Sequence, residues 1–218
     1  MPVAPQAFPF LLGAAALAVL LGYVLGPLGA APAVLAGAFF LYFFRDPERV
    51  PPPGEDLVLA PADGRVTEVR REPEGASISI FLSLFDCHIN RSPVAGRVVS
   101  VRHTPGGFHP AWQGRASREN ERNHLELEAA DGRYGVTQIA GIVARRIVCT
   151  KRPGDAVSRG ERIGLIRFGS RTDLRLPAGV EPLVAIGQRV RGGLTILARA
   201  RDTGAMATGR AAGAGAAR

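Results

Sequence analysis

The chain has 218 residues, 46% of them hydrophobic and 21% charged, and a formal net charge of +8. That length suits one good core plus an appendage, so one or two folding units are expected. Basic charge of this size fits nucleic acid or an anionic membrane equally well, but aromatics are few and no basic helix or nucleic-acid signature is present, which sets nucleic acid aside.

No Asp, Glu, Lys or Arg precedes Arg45, so a neutral apolar end is joined to a basic remainder. Phe8 to Leu25 and Leu28 to Phe44 are two uncharged apolar runs, separated by the breaker-rich Gly26-Pro27-Leu28-Gly29-Ala30-Ala31-Pro32. Each lies near the lower limit of about 17–25 residues for a membrane-spanning helix. A cleaved signal peptide would start basic and end one short apolar core at a small-residue cut site. Here the start has no basic side chain and the apolar character resumes after the break. Residues 1–45 are therefore predicted to form a helical hairpin held in the membrane, with a shallow, non-spanning hairpin as the competing picture. The aromatic belt Phe39-Phe40-Leu41-Tyr42-Phe43-Phe44, followed at once by Arg45 and Arg49, puts the next domain on the cytoplasmic side of the cell membrane. Residues 46–54, ending in Val50-Pro51-Pro52-Pro53-Gly54, read as a stiff linker.

From Leu57 on, short β-rich runs punctuated by Gly, Pro and Asp recur, at 57–60, 65–69, 78–85, 97–102, 124–128, 135–139, 142–149, 162–168, 172–176 and 194–198. They predict a mainly β domain over residues 55–202, with no long amphipathic helix after Arg45. Two repeats refine this. Pro61-Ala-Asp-Gly-Arg-Val-Thr-Glu-Val69 matches Pro93-Val-Ala-Gly-Arg-Val-Val-Ser-Val101, and Gly154-x-x-Val157-x-x-Gly160 matches Gly187-x-x-Val190-x-x-Gly193. The second pattern resembles the turns of biotinyl and lipoyl carrier domains, so the expected fold is a flattened β-sandwich of the barrel-sandwich hybrid kind, with the N-terminal α-helical membrane hairpin attached. A carrier function does not follow, because Lys151, the single lysine, precedes its turn in an arginine-flanked stretch instead of crowning a hairpin. The tail from Thr203 to Arg218, mostly Ala, Gly, Thr and Arg, is expected to be disordered.

Three polar residues stand at predicted strand ends: Asp63 in a Pro-Ala-Asp-Gly turn, His88 after an apolar run, and Ser170 after Gly169. They could converge as orienter, base and nucleophile. Each also has an ordinary reading, since such an Asp often satisfies its own turn, such a His is often a surface or hydrogen-bonded core residue, and Gly-Ser pairs are mostly plain turns. A glycine before a serine does permit the strained backbone that attack on the preceding carbonyl requires. His103, His109 and His124 compete for the base role. Cys87 and Cys149 have no metal-ligand or disulfide-framework spacing and are expected to be reduced thiols; no metal site is expected.

Taken in order, Asp46-Pro47-Glu48-Arg49, Pro61-Ala62-Asp63-Gly64-Arg65-Val66, Asp86-Cys87-His88-Ile89-Asn90-Arg91-Ser92-Pro93, Glu119-Asn120-Glu121-Arg122-Asn123, Gln138-Ile139-Ala140-Gly141 and Arg167-Phe168-Gly169-Ser170-Arg171 resemble the short, membrane-associated bacterial form of the phosphatidylserine decarboxylase proenzymes. The resemblance implies self-cleavage between Gly169 and Ser170 into a β chain (1–169) and an α chain (170–218) whose first residue becomes a pyruvoyl group. That group would form a Schiff base with the amine of phosphatidylserine and accept the electrons left when carbon dioxide departs, giving phosphatidylethanolamine. His88, oriented by Asp63, would serve cleavage and the later protonation. Longer relatives carry a second histidine where this chain has Arg91, which leaves the division of those roles open. The run Arg118 to Asn123 is a candidate for the phosphoserine headgroup, or a solvated loop. A membrane-anchored β-sandwich scaffold without catalysis is the competing class, and it leaves the ordered Asp63, His88 and Gly169-Ser170 set unexplained.

Overall fold

The computed structural model of the chain describes residues 2–109, 119–141, 146–167 and 169–200. The charge-free N-terminal part folds as two apolar helices, α1 (Phe8–Leu25) and α2 (Ala31–Phe43), with a 3-10 turn over Pro27–Ala30 between them. Pro27 and Gly29 hold the start of the second apolar run in that turn, so α2 begins three residues later than Leu28. The open end of the hairpin is closed by backbone bonds, Ala4 N–H to the Phe44 carbonyl and Asp46 N–H to the Pro2 carbonyl, both 2.8 Å. Phe10, Phe39, Phe40, Phe43 and Phe44 pack there on Ala4, Ala7, Cys87, Ile89 and Leu165, which joins the base of the hairpin to the β domain. Away from the base, Leu12, Val19, Leu20, Tyr23, Leu25 and Leu28 are exposed. Such an exposed apolar surface suits association with a membrane. Among the described residues one helix, Pro5–Leu25, is long and apolar enough to cross a membrane.

The domain that follows is mainly β among the described residues. Its strands are β1 (Leu57–Leu59), β2 (Gly64–Glu72), β3 (Gly75–Leu82), β4 (Ile89–Arg91), β5 (Gly96–Thr104), β6 (Arg122–Ala129), β7 (Gly132–Ala140), β8 (Ile147–Cys149), β9 (Ala156–Val157), β10 (Arg162–Ile166), β11 (Ser170–Pro177), β12 (Val180–Pro182), β13 (Arg189–Val190) and β14 (Ile196–Ala200). A curled eight-stranded sheet runs β13-β2-β3-β11-β7-β6-β5-β9, and two three-stranded sheets, β1-β14-β12 and β4-β10-β8, complete the sandwich. The strands β4, β9, β12 and β13 have too few residues to show an alternating pattern, which is why no run marks them in the sequence. The run expected to reach Phe85 stops at Leu82, because Ser83 N–H and Oγ–H both bond the Asp86 carboxylate and turn the chain. Residues 142–145 and 168, within two expected strands, and the expected tail from Thr203 lie outside the described residues.

Period-two alternation places one face of the large sheet on the core. Across it run registered rows of side chains: Ile78, Leu174, Val136 and Leu125 form one, and Ile80, Thr172, Gln138 and Asn123 the next. The first row is apolar core; the second turns polar at β11.

Both sequence repeats become matching backbone bonds. Leu59 N–H bonds the Pro93 carbonyl while Arg91 N–H bonds that of Pro61, and Val66 exchanges two bonds with the Gly187–Gln188 turn just as Val98 does with Gly154–Asp155. Repeated glycines permit this close packing: a Cβ on Gly64 would lie 2.1 Å from the Phe81 carbonyl oxygen, and one on Gly96 2.3 Å from that of Glu128. Gly64→Ala and Gly96→Ala are each expected to destabilise the fold by about 2–3 kcal/mol. Thermal or urea unfolding of detergent-solubilised protein measures this, and wild-type stability in either variant would contradict the packing described.

Candidate active site

The first polar residue of β11 is Ser170, and its position follows from the sheet. Register with Leu82 of β3 and Ala140 of β7 points it to the same inward face as Thr172, Leu174 and Leu176. It is fully buried, and among the described residues its Oγ has no hydrogen-bond partner. A buried hydroxyl without a partner costs about 1–3 kcal/mol, so its placement is a feature to be explained. Gly169, immediately before it, has φ +73°, in the left-handed region that glycine enters at little cost.

One step along β11, the polar row is satisfied. Asn123 Nδ2–H donates to Gln138 Oε1 (3.0 Å), Gln138 Nε2–H to Asn90 Oδ1 (2.9 Å), and Asn90 Nδ2–H to Thr172 Oγ1 (3.1 Å). All four residues are buried. This chain ties β4 to β11 and so holds His88, the residue before β4, against the residue before β11. The His88 carbonyl also accepts the Ile166 N–H at 3.3 Å.

His88 is buried, with its ring centroid 4.4 Å from that of Phe43 at the base of the hairpin. Gly169 N–H donates to His88 Nε2 at 3.1 Å, and His88 Nδ1 lies 3.0 Å from the Asp86 carbonyl. An N–H donor at Nε2 requires a lone pair there. The proton therefore sits on Nδ1 and points at Asp86. Burial pushes the imidazole down to about 4, only partly offset by the Asp86 carbonyl, so at neutral pH the ring is an uncharged acceptor.

Asp63 does not orient His88, contrary to the expectation from sequence. Its carboxylate is held by Arg49 at 2.5 and 2.8 Å and by Gly192 N–H at 2.7 Å. The repeat explains this, since the Asp63 turn faces the Arg191–Gly193 turn across the interface of the two halves. Asp63 acts on the imidazole only as a minor electrostatic influence, and the Asp86 carbonyl takes the orienting place. Arg91 is committed to structure as well, donating to the Gly160 carbonyl (3.0 Å) and the Pro47 carbonyl (2.7 Å).

The remaining histidines lie elsewhere: His103 and His109 pair with Glu121 and Glu119, and His124 bonds Thr137. Within the Arg118 to Asn123 run, Arg118 is outside the described residues, Asn120 bonds the carbonyls of His109 and Ala140, and Arg122 donates to the Asn120 carbonyl. Both thiols are free. Among the described residues no group of three or more His, Cys, Asp or Glu is placed to hold a metal. Sequence reasoning did not assign roles to Asn90, Asn123, Gln138 and Thr172. Their polar side chains at inward strand positions were the available signal.

A family model described as phosphatidylserine decarboxylase matches residues 36–198. A phosphatidylserine decarboxylase proenzyme of Beijerinckia indica is 48% identical over 207 residues, covering 90% of this chain and 89% of the relative. One of Pelobacter propionicus is 47% identical over 214 residues, 91% of this chain and 96% of the relative, and one of Gluconobacter oxydans 55% identical over 173 residues, 74% and 77%.

The imidazole gives a pH test of this geometry. Its folded value, about 4, lies below the ordinary 6.5, so between those values the unfolded chain binds a proton that the folded chain refuses. The associated stability is complete above pH 6.5 and is lost as pH falls to about 4, by up to about 3 kcal/mol. His88→Gln should remove this component. Unfolding of both proteins at pH 7, 5.5 and 4.5, in a Ser170→Ala background, measures it; identical pH slopes would rule out the buried neutral ring.

Proposed function

The chain belongs to the phosphatidylserine decarboxylase family, and from that premise we propose that it cuts itself between Gly169 and Ser170, with His88 as the base. The products are a β chain of residues 1–169 and an α chain of residues 170–218 that begins with a pyruvoyl group. The matured protein converts phosphatidylserine to phosphatidylethanolamine and carbon dioxide. One observation carries the reading: a neutral, buried imidazole bonds the N–H of Gly169, and the next residue is a buried serine whose hydroxyl has no partner among the described residues.

The steps follow from these groups. Ser170 Oγ attacks the Gly169 carbonyl carbon, its proton passes by way of the base to the Ser170 nitrogen, and the amide becomes an ester. His88 Nε2 has one lone pair, so it must exchange the Gly169 N–H for the hydroxyl proton, and the Asp86 carbonyl holds the ring in the tautomer that allows this. Removal of the Ser170 α-proton expels the Gly169 carboxylate and leaves dehydroalanine, whose enamine water converts to a ketone and ammonia. That pyruvoyl ketone supplies an electron sink for decarboxylation of the amine-bearing headgroup. The Ser170 Oγ has no partner among the described residues, so its hydroxyl is free to turn toward the base. Cutting also sets a new carboxylate at Gly169 beside His88. An anion there raises the proton affinity of the ring and suits it to deliver a proton after carbon dioxide leaves.

Asp63 contributes by fixing the linker through Arg49. The hairpin holds the domain at the membrane, and the arginines that begin at Arg45 support a cytoplasmic position for it. The substrate would be drawn from that anionic surface.

Mass spectrometry of purified protein should show two fragments, the smaller lighter by one ammonia than a chain starting with Ser170. Ser170→Ala should remain one inactive chain. His88→Ala should slow cutting by about 100-fold or more. A single intact wild-type chain, or prompt cutting of His88→Ala, would respectively sink the self-cleavage and the base assignment.

A further inference from the structure

Arg167 stands two residues before Gly169, and its Nε is buried without a hydrogen-bond partner among the described residues. Its guanidinium lies over the ring of Phe10, 5.5 Å from the centroid, and Phe10 in turn packs on Phe40 and Phe44 at the base of the hairpin. Its backbone N–H bonds the Arg146 carbonyl at 3.2 Å, which brings a second, exposed arginine alongside. Neither side chain forms an ion pair among the described residues, and outside those residues the sequence holds one acid, Asp202. Burial and the neighbouring Arg146 both disfavour the Arg167 charge. Other arginines around the site are neutralised: Arg49 by Asp63, Arg162 by Asp46, Arg171 by Glu68 and Asp173.

We propose that Arg167, assisted by Arg146, is the subsite that receives the phosphodiester of the phospholipid headgroup. The inference rests on the decarboxylase reading for its substrate and deepens it. A guanidinium matches a phosphate oxygen pair in shape and charge. The aromatic floor and the hairpin base place this cation where the apolar membrane segment meets the polar domain, the level at which a phosphodiester lies. The two anions of the substrate headgroup are not equivalent partners. A cation on the departing carboxylate would stabilise the ground state more than the transition state, in which that charge disperses, and would slow the reaction. A cation on the phosphodiester holds the headgroup without that cost.

The test uses dihexanoylphosphatidylglycerol, a phosphodiester with neither amine nor carboxylate, titrated calorimetrically in uncharged detergent into the uncut Ser170→Ala chain and into mature protein. Arg167→Gln should weaken its binding by about tenfold or more, Arg167→Lys by less, and Arg146→Gln by about threefold. Dihexanoylglycerol should not distinguish the variants. With dihexanoylphosphatidylserine, Arg167→Gln should raise KM about tenfold while kcat stays within about threefold. Unchanged affinity for the phosphatidylglycerol overturns the proposal, as does a fall in kcat at constant KM, which would put the cation on the carboxylate. Should Arg167→Gln misfold, Arg146→Gln decides by the same criterion. Failure of the decarboxylase reading would appear separately, as absent cutting and activity, while the binding comparison still stands.

Discussion

Everything at the site depends on the bond from Gly169 N–H to His88 Nε2. It selects the tautomer, since a ring nitrogen that accepts leaves the proton on the other, and the Asp86 carbonyl is there to take it. It is possible only because the ring is buried: a solvated imidazole would exchange partners with water. The Phe43 ring packs on it with centroids 4.4 Å apart, so a helix of the hairpin forms one wall of the site. One aromatic contact thereby joins the apolar hairpin to the imidazole.

The polar row Asn123–Gln138–Asn90–Thr172 makes that bond reproducible. Each member spends its side-chain polar atoms on the next, so the row resists sliding of β4 against β11 in a way that apolar contacts would not. Ser170 stands one register step beyond it and is excluded from it. The contrast within a single strand, Thr172 satisfied and Ser170 free among the described residues, separates a structural hydroxyl from the one proposed to react. Internal repetition builds the frame, and function lies where the repeat is broken. Asp63 corresponds to Ala95, and only Asp63 has the Arg49 and Gly192 partners that lock the linker across the two halves.

Much of this was legible in the chain itself. Absence of charge before Arg45 marked the hairpin, alternation and turn residues marked the long strands, and the repeated Gly-Arg-Val and Gly-x-x-Val-x-x-Gly segments marked the halves of the sandwich. The ordered motifs singled out Gly169, Ser170 and His88, and the fold brings Gly169 and His88 into contact. What was not legible is contact between distant segments. Spacing cannot say whether Asp63 turns toward His88 or toward Gly192, because both are far away in sequence and only the packing of the two repeats decides. A main-chain carbonyl such as that of Asp86 leaves no residue-type signature at all, so the actual orienter of His88 was invisible to motif reading. Arg167 was read as part of a cleavage motif; its lack of an acidic partner among the described residues is a property of the folded surroundings.

Burial of Ser170 has a consequence for the order of events. In the intact chain the serine is inaccessible and its neighbour is pinned by His88, so a phospholipid cannot reach the carbon proposed to react. The proposed cut would remove the covalent tie between Gly169 and β11 and turn the pinned residue into a chain end. The event that creates the electrophile would thus also release the residue in front of it. An accessible serine would gain nothing for maturation, since its attack is intramolecular, and it would expose the ester to water before elimination. Burial before cutting and access after it are therefore two requirements of the proposed reaction sequence, and a glycine at 169, which holds φ +73° here and would be free to leave it once cut, would meet both.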